Sequence, residues 1–312
     1  MVFGGGTSME AALAFHEVSK AYPALWRRKK VLEGLSLEVG PGEAVGLFGP
    51  NGAGKSTILH LAAGFLRPDA GKVTVGGASP WSVQGRAFFG FVPENPNFPP
   101  GLSLEGFLEL QLACLAPHRP ASWEQAEQLL ERLDLAGARK RQVSQFSRGM
   151  KQKTALVAAL LGSPPLLLLD EPISGLDPQA VAEVRQLLQE HRARGGAVLV
   201  SSHLLDETAK VCHRALFIQR GRIVHQWREG QEPHVTLAVL FEPPAPARLW
   251  EKLAATPWVA KVQADSHRVT LALVGREAIS PVLLELLQSG LAIQGVEQQR
   301  TSLEEVFCEV IR

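Results

Sequence analysis

The sequence predicts an α/β protein with a mainly parallel sheet, an antiparallel β flap and a helical subdomain, followed by a small α+β domain. Short runs that are apolar on both faces, such as Leu166–Leu169, alternate with helix-forming segments. This alternation is typical of a parallel sheet that is covered by helices. Residues 11–48 instead show the alternating pattern of antiparallel strands, which predicts the flap. A chain of 312 residues is long enough for two domains.

Composition predicts where the domains begin and end. Residues 1–10 are expected to form a flexible N-terminal extension. Residues 11–229 are expected to form the first domain, with its helical subdomain at about residues 97–160. A short stretch rich in Glu, Gln, Gly and Pro begins at Glu229 and is typical of a linker. The second domain is therefore expected over residues 234–312.

Hydrophobic periodicity predicts the elements of the first domain in order. The strand-like residues Leu13–Val18 are followed by a break around Tyr22. Ser122, with Gln125 three residues later, predicts a capping box at a helix start, and Asp177 precedes a proline as an N-cap does. The further predicted elements are the strands Leu35–Val39, Ala44–Phe48, Lys72–Val75, Phe88–Val92, Leu166–Leu169 and Ala197–Ser201, the helices Thr57–Ala63, Leu104–Leu115, Trp123–Leu133, Met150–Leu161 and Pro178–Arg194, a short helix after Ser201, and the hairpin strands Leu216–Ile218 and Ile223–Trp227.

The second domain shows a different order of elements. Strand and helix patterns follow one another as β-α-β-β-α-β, which is the ferredoxin-like order, and one more helix ends the chain. The predicted elements are Val235–Phe241, Ala245–Ala255, Val259–Val262, Val269–Val274, Ile279–Gln288, Ala292–Val296 and Leu303–Ile311. No residues typical of nucleotide chemistry occur in this domain, so we expect a regulatory or interaction role.

Charge and cysteine content limit the class of partner and the compartment. The net charge is +1, which argues against binding to nucleic acid through bulk positive charge. The cysteines Cys114, Cys212 and Cys308 are scattered and odd in number, so a reducing cytosol is expected rather than a disulfide framework or a metal cluster. No apolar stretch reaches the roughly 18 residues of a membrane span. The chain is expected to be soluble and to reach a membrane by docking on a membrane protein.

A glycine-rich motif between a buried strand and a helix predicts a nucleotide site. Its eight residues match G-x-x-x-x-G-K-[ST], the phosphate-binding loop of a P-loop nucleotidase core. Glycines let successive N–H groups point at phosphate oxygens, Lys55 supplies a charge for the β- and γ-phosphates, and the Ser56 hydroxyl is a ligand for Mg²⁺. A chance Lys-Ser after a glycine-rich turn is the alternative, which the flanking strand and helix disfavour. The predicted nucleotide-binding residues are Gly49, Pro50, Asn51, Gly52, Ala53, Gly54, Lys55, Ser56 and Thr57.

Two carboxylates follow the run of four leucines. Asp170 would end a parallel strand beside the phosphate loop, where a carboxylate can hold Mg²⁺. Glu171 can act as the general base for the water that attacks the γ-phosphate. A strand that simply runs into a polar turn explains the pair equally well when it is taken alone. Together with the phosphate loop, the pair predicts a hydrolytic site.

Further motifs resemble those of ATP-binding-cassette (ABC) proteins. Phe146–Gln152 is similar to the family's signature loop, Ser174–Asp177 to its D-loop, and Ser201–His203 to the segment that carries its switch histidine. Tyr22 lies where the family has an aromatic residue that stacks on adenine. The match covers about residues 11–228, in the family's order. The resemblance implies an ATP-hydrolysing transporter subunit that uses ATP and Mg²⁺.

The resemblance also implies roles for single residues. His203 would contact the γ-phosphate, and Asp177 would contact the second subunit of a dimer, although its N-cap role explains it as well. The residues expected to contact ATP bound to the partner are Ser147, Arg148, Gly149 and Met150. An N-cap role is again the alternative for the first of them.

Two positions depart from the family pattern. Arg148 replaces a small residue of the signature and adds a cation near the expected γ-phosphate of the partner. We interpret it as a mark of a subfamily. Glu94 stands where the family has Gln. Its carboxylate can still bind Mg²⁺, and it would raise the like-charge repulsion at Glu171.

The implied assembly is a homodimer or heterodimer of ATPase subunits with two ATP molecules between them. The implied partners are integral membrane permease subunits, gripped by the surface that begins at Pro93–Pro100, at the cytoplasmic face of the inner or plasma membrane. Thr301–Phe307 resembles the closing motif of many bacterial export ATPases, which favours export. The alternative is a soluble ABC ATPase that acts as a nucleotide-dependent switch without transport.

Overall fold

The structure is a computed structural model that describes residues 10–23, 28–115, 118–203, 205–228, 235–246 and 248–299. It divides into two compact units, the first reaching Gln226 and the second beginning at Trp227. Within the described ranges, no helix is long and apolar enough to cross a membrane. The predicted linker at 229–233 and the predicted last helix, Leu303–Ile311, lie outside the described residues.

Strands and helices alternate along the first unit as the periodicity predicts. The described strands as far as Arg228 are β1 (Leu13–Pro23), β2 (Arg28–Val39), β3 (Ala44–Phe48), β4 (Ala70–Val75), β5 (Phe89–Val92), β6 (Leu166–Asp170), β7 (Ala197–Ser201), β8 (Arg214–Gln219) and β9 (Arg222–Arg228). The helices are α1 (Lys55–Ala62), α2 (Val83–Ala87), α3 (Leu104–Leu115), α4 (Trp123–Arg132), α5 (Arg148–Leu160), α6 (Pro178–Ala193) and α7 (Leu205–Ala209). Among these, only the short helix α2 was not expected from the sequence.

The central sheet confirms the predicted parallel core. Its strand order is β5-β6-β7-β3-β8-β9, and the first five strands of this order run parallel. Leu47 of β3 and Asp170 of β6 both pair with Ser201 of β7. The C-terminal ends of these three strands therefore meet at one edge of the sheet, where ligands bind in open α/β sheets.

The leucine strand β6 is apolar on both faces because each face packs into a separate core. Leu166 and Leu168 belong to a cluster with residues of β1, β2, β4 and α1. Leu167 and Leu169 belong to a second cluster with residues of α3, α4, α5 and α6. The helices of the predicted helical subdomain thus share a core with the central sheet. All four leucines are fully buried.

The antiparallel flap is confirmed, with the strand order β2-β1-β4. The predicted break around Tyr22 and Pro23 falls at the end of β1, which continues to Pro23. Tyr22 pairs with Lys29 of the antiparallel partner, so pairing extends the strand to this point. This pairing keeps Tyr22 on a strand rather than in a loop.

The predicted capping box at α4 is only half formed. Ser122 is the N-cap, and its Oγ accepts a hydrogen bond from the Gln125 backbone N–H at 3.2 Å. The Gln125 side chain does not return to Ser122. Its amide instead donates to the Leu160 carbonyl and to Ser163 Oγ, and accepts from Gly162 N. The end of α5 offers polar backbone groups that need partners, and Gln125 satisfies them.

The second unit confirms the β-α-β-β-α-β order. Its described elements are β10 (Val235–Glu242), α8 (Leu249–Ala254), β11 (Val259–Ala264), β12 (Arg268–Leu273), α9 (Ile279–Gln288) and β13 (Ala292–Gln299). The strands form an antiparallel sheet in the order β11-β12-β10-β13, over a core of its own. The helix α8 begins at Leu249 rather than at the predicted Ala245. Pro246 explains the later start, because a proline disfavours the helical conformation of the residue before it.

Candidate functional site

One cleft at the C-terminal edge of the central sheet collects most of the predicted site residues. Its volume is about 760 Å³. It is lined by Tyr22, Lys29, Val31, Asn51, Gly52, Gly54, Lys55, Ser56, Thr57, Glu94, Arg148, Asp170, Glu171, Ser174 and His203. The predicted residues that do not line it are Gly49, Pro50 and Ala53 of the phosphate loop, and Ser147, Gly149, Met150 and Asp177.

The phosphate loop takes a shape that requires glycine. Gly49 has φ +156°, and a Cβ there would lie 2.2 Å from the Ile218 carbonyl oxygen. Gly54 has φ +114° and precedes α1 as an N-cap without a side-chain hydrogen bond. The first N–H groups of α1 therefore lack a side-chain cap at the cleft, as they do where a helix binds an anion.

Lys55 lies inside the loop that binds phosphate. Its Nζ donates to the carbonyl oxygens of Gly49 at 2.6 Å and Pro50 at 3.3 Å. Burial lowers the pKa of the Lys55 ammonium, and the nearby carboxylates Glu171, Asp170 and Glu94 oppose this shift. The Lys55 ammonium lies close to three carboxylates, and such a perturbed cation is typical of a functional site. Its charge can balance the charge of a phosphate.

Ser201 is hydrogen-bonded both to the carboxylate of Asp170 and to the backbone N–H of Glu171. Its Oγ donates to Asp170 Oδ1 at 2.5 Å. The Glu171 N–H donates to both the carbonyl oxygen of Ser201, at 3.1 Å, and its Oγ, at 3.2 Å. Glu171 has φ +50°, a left-handed conformation that costs a residue with a side chain about 1 kcal/mol or more. The hydrogen bonds from β7 hold it there.

His203 and Glu171 contact each other directly. His203 Nδ1 lies 2.7 Å from Glu171 Oε2, and the His203 backbone N–H donates to the same oxygen at 3.3 Å. The glutamate side chain is 13% exposed and the imidazole 61% exposed. The carboxylate is thus sheltered at the floor of the cleft, while the ring reaches its open side and can meet a phosphate through Nε2.

Tyr22 reaches the cleft from the flap. Its phenol oxygen lies 3.3 Å from Thr57 Oγ1, which joins the flap to the helix after the phosphate loop. Asp69 fixes the strand of Tyr22 by accepting from Ala21 N at 2.7 Å and from Lys20 Nζ at 3.4 Å. The Ala21 N–H, more than the lysine, lowers the pKa of the Asp69 carboxyl.

The signature residues begin α5. Ser147 is its N-cap and accepts from Met150 N at 3.2 Å, while Asp177 caps α6 by accepting from Ala180 N at 2.9 Å. The N-cap alternatives are therefore confirmed for both residues. Arg148 lines the cleft of its own chain, where its Nη2 donates to Ser174 Oγ at 3.2 Å. Contacts of these residues with a partner-bound nucleotide stay predictions.

The donors in the cleft fit a metal ion shared with a phosphate. Ser56, Glu94 and Asp170 line one wall and floor with a hydroxyl and two carboxylates. In the part of the chain that the structure describes, no group of three or more His, Cys, Asp or Glu side chains could hold a metal alone. One or two carboxylates completed by substrate phosphates and water is the usual environment of Mg²⁺.

Several residues of the site carried no clear signal in the sequence. Ser201 and Gln152 occur inside recognised motifs, but their contacts with the acidic pair depend on β7 and α5 lying against β6. Asp69 is 48 residues from its partner Ala21. Lys29 belongs to the basic run Trp26–Lys30, for which the sequence favours a solvent-exposed loop over a contact with anionic lipid. Only the fold shows that these residues belong to the cleft or support it.

Comparison with family models matches two parts of the chain. Residues 32–174 match the family described as "ABC transporter". Residues 242–311 match the family described as "ATP-binding protein DrrA1-3-like, C-terminal domain". The two matches correspond to the central-sheet unit and to the smaller second unit.

Relatives and solved structures agree with these matches. The chain is 37% identical over 215 residues to the Nod factor export ATP-binding protein I of Paraburkholderia xenovorans, covering 68% of this chain and 69% of that protein. It is 31% identical over 290 residues to the ABC transporter ATP-binding protein YdbJ of Bacillus subtilis, covering 89% and 90%. A solved ATP-binding subunit of an ABC transporter is 31% identical with a TM-score of 0.63, covering 70% and 90%.

The phosphate loop provides a test of its backbone geometry. Gly49→Ala should lower the free energy of unfolding by about 2 kcal/mol or more, because the new Cβ meets the Ile218 carbonyl in addition to the backbone penalty. Gly52→Ala, with φ +79° and no atom within 4 Å of the Cβ position, should cost only about 1 kcal/mol. Urea denaturation measures both. Equal losses would contradict the close approach at Gly49.

Lys55 provides a test by pH. The pKa of Lys55 is lowered in the folded protein. Lys55 therefore loses its proton at a lower pH than an ordinary lysine, which deprotonates at a pH of about 10.4. The affinity for ATP should fall as this proton is lost. The dissociation constant of a fluorescent ATP analogue, measured between pH 7 and 10, should begin to rise within this range. In Lys55→Arg the guanidinium stays charged, so the affinity should not vary with pH over that range. The same pH dependence in both proteins would contradict the assignment to Lys55.

Proposed function

The chain belongs to the ABC transporter family and is an ATP-hydrolysing subunit of that family, and we propose that it powers export by separate membrane permease subunits through ATP-driven closure of a dimer. The observation that carries this proposal is the convergence of Lys55, Asp170, Glu171 and His203 on one cleft. They come from three separate segments, at or after the ends of β3, β6 and β7, and each supplies a different part of the chemistry of phosphoryl transfer.

Binding is the task of the loop and the flap. The N–H groups of Gly52, Gly54 and the start of α1 receive the phosphates, and Lys55 neutralises the β- and γ-phosphates. Tyr22 offers a ring for adenine, held by its contact with Thr57 and by pairing with β2. Asn51, Pro50 and Ala53 complete the loop, and Ser56 with Asp170 and Glu94 would hold Mg²⁺. When bound, Mg²⁺ offsets negative charge on the transferring phosphoryl group.

Hydrolysis depends on the contact between Glu171 and His203. Glu171 orients a water molecule and takes its proton as the water oxygen bonds to the γ-phosphorus and the bond to the β-phosphate oxygen breaks. His203 contacts the γ-phosphate on the open side of the cleft and is kept in place by the 2.7 Å contact of its Nδ1 with Glu171. Lys55 stabilises the charge that develops on the phosphate oxygens. Inorganic phosphate and ADP are the products.

The second half of the site is proposed to come from another subunit, either a second copy or a related chain. Ser147, Gly149 and Met150 lie outside the cleft of their own chain, at the N-terminus of α5, which has the geometry of an anion site. Asp177 is 60% exposed on the side chain and is available for a contact across the interface. A two-fold dimer would place each signature segment over the partner's nucleotide.

Export and the location at the cytoplasmic face of the membrane rest on the relatives. One relative is named as an export ATP-binding protein, and the second unit matches a C-terminal domain found in ATP-binding proteins. The permease subunits would supply the membrane spans and the choice of cargo. The surface from Pro93 to the start of α3 is proposed to contact them, since it includes Glu94 of the cleft and leads into the subdomain helices.

The catalytic base provides the test of this function. Glu171→Gln should lower ATP turnover by about 100-fold or more, because an amide cannot accept the proton of the attacking water. ATP binding should persist, and gel filtration with ATP should show a stable dimer. Glu124→Gln, the same change on the exposed side of α4, serves as the control and should hydrolyse ATP at the normal rate. Undiminished turnover in Glu171→Gln would remove Glu171 from the mechanism.

A further inference from the structure

The backbone of Glu171 is held from two sides. Its N–H donates to Ser201 on β7, as described above. Its carbonyl oxygen accepts hydrogen bonds from Gln152 Nε2 on α5, at 3.3 Å, and from the Ser174 N–H in the turn that follows, at 3.1 Å. A residue with a side chain keeps a left-handed conformation such as that of Glu171, with φ +50°, only when its surroundings hold it there. The hydrogen bonds to β7, to α5 and within the turn at Ser174 are the holding contacts, and the bond from Gln152 is the one that comes from the signature helix.

Gln152 is an unusual residue for its position. It is only 1% exposed, in a helix whose other buried residues are mostly apolar, including Ala155 and Leu156. Burial of an amide is unfavourable unless the amide is hydrogen-bonded. Thr154, the next buried polar residue of α5, bonds within its own helix to the Met150 carbonyl. Gln152 instead directs its amide out of the helix, to the residue that carries the catalytic carboxylate.

We propose that Gln152 is a positioning residue that makes the conformation of Glu171 depend on the position of α5, and that it thereby couples the two nucleotide sites of the dimer. The inference rests on the proposed function, in which Glu171 acts on the nucleotide of its own chain. Ser147, five residues before Gln152 at the start of the same helix, faces the nucleotide of the partner. One rigid helix therefore connects both sites.

The coupling works through a short mechanical path. A γ-phosphate bound at the N-terminus of α5 draws the helix toward the interface, and Gln152 moves with it. The present distance of 3.3 Å lies at the long end of N–H···O hydrogen bonds, so a small displacement of α5 changes its strength strongly. A change in the hydrogen bond to the Glu171 carbonyl shifts the backbone of Glu171. The position of its carboxylate, and of the attacking water that the carboxylate orients, shifts with it. Occupation of the partner's site thus adjusts hydrolysis at this one.

A purely structural role for Gln152 predicts something different. A buried hydrogen bond that only stabilises the fold would affect the melting temperature and leave cooperativity between sites unchanged. Gln125 supplies the matched comparison, because it is also a glutamine whose Nε2 donates to a backbone carbonyl, that of Leu160, at the opposite end of α5. It has no contact with the acidic pair among its described hydrogen bonds.

The experiment compares steady-state ATP hydrolysis in the full-length chain, Gln152→Met and Gln125→Met. Gln152→Met should lower kcat by about tenfold to hundredfold, as expected for a displaced catalytic group, with KM within about twofold. The Hill coefficient for ATP should fall from above one toward one. Gln125→Met should keep the Hill coefficient and kcat of the unaltered chain, with at most a lower melting temperature. Equal effects of the two variants, or an unchanged Hill coefficient in Gln152→Met, would overturn the proposal.

A double-mutant cycle separates action through Glu171 from any other effect. In the Glu171→Gln background, Gln152→Met should change the residual rate by less than about twofold. If the two residues acted independently, the fold-losses in rate of the two substitutions would multiply. Should Gln152→Met not fold, Gln152→Leu fills a similar volume, lacks the donor and carries the same expectations. Wild-type levels of hydrolysis in Glu171→Gln would refute the proposed function itself. A strong effect of Glu171→Gln with none of Gln152→Met would refute only the coupling.

Discussion

The register of three parallel strands is the constraint on which the site depends. Leu47 and Asp170 both pair with Ser201, so the phosphate loop, the acidic pair and His203 all begin within two residues of the same level of the sheet. A shift of one residue in any of these strands would turn its side chains to the opposite face. The two cores on either side of β6 take its leucines alternately, and a shift that brought the Asp170 carboxylate into either core would be unfavourable. Packing of the core therefore determines the geometry of the chemistry.

The same edge of the sheet concentrates two unfavourable features that the fold compensates. Lys55 is half-buried with a lowered pKa among three carboxylates, and Glu171 has a left-handed backbone conformation. Neither feature stabilises the folded chain, and both become useful when a triphosphate occupies the cleft. Ser201 and Gln152 hold the backbone of Glu171 from β7 and α5. The catalytic carboxylate is thereby connected to the central sheet and to the signature helix at once.

The sequence was sufficient for local features and insufficient for contacts between distant segments. The strands apolar on both faces, the N-caps Ser147 and Asp177 and the order of elements in the second unit follow from nearby residues, and the structure confirms them. The contact of Tyr22 with Thr57 and the alternative use of the Gln125 side chain at the end of α5 depend on segments that lie 35 or more residues away. Local propensity does not report such partners. The roles of Arg148 and Glu94 also do not follow from nearby residues, because the effect of each depends on which subunit faces it.

The most direct test of the composite site is the ATPase activity per mole of chain as a function of chain concentration. A cleft completed by the signature segment of a second subunit predicts that the specific activity rises in proportion to concentration while dimers are scarce, and levels off when the dimer is saturated. ATP binding to the dilute monomer, measured in parallel, should remain. A specific activity that is constant from dilute to concentrated protein would show that one chain hydrolyses ATP alone, and would contradict the composite site.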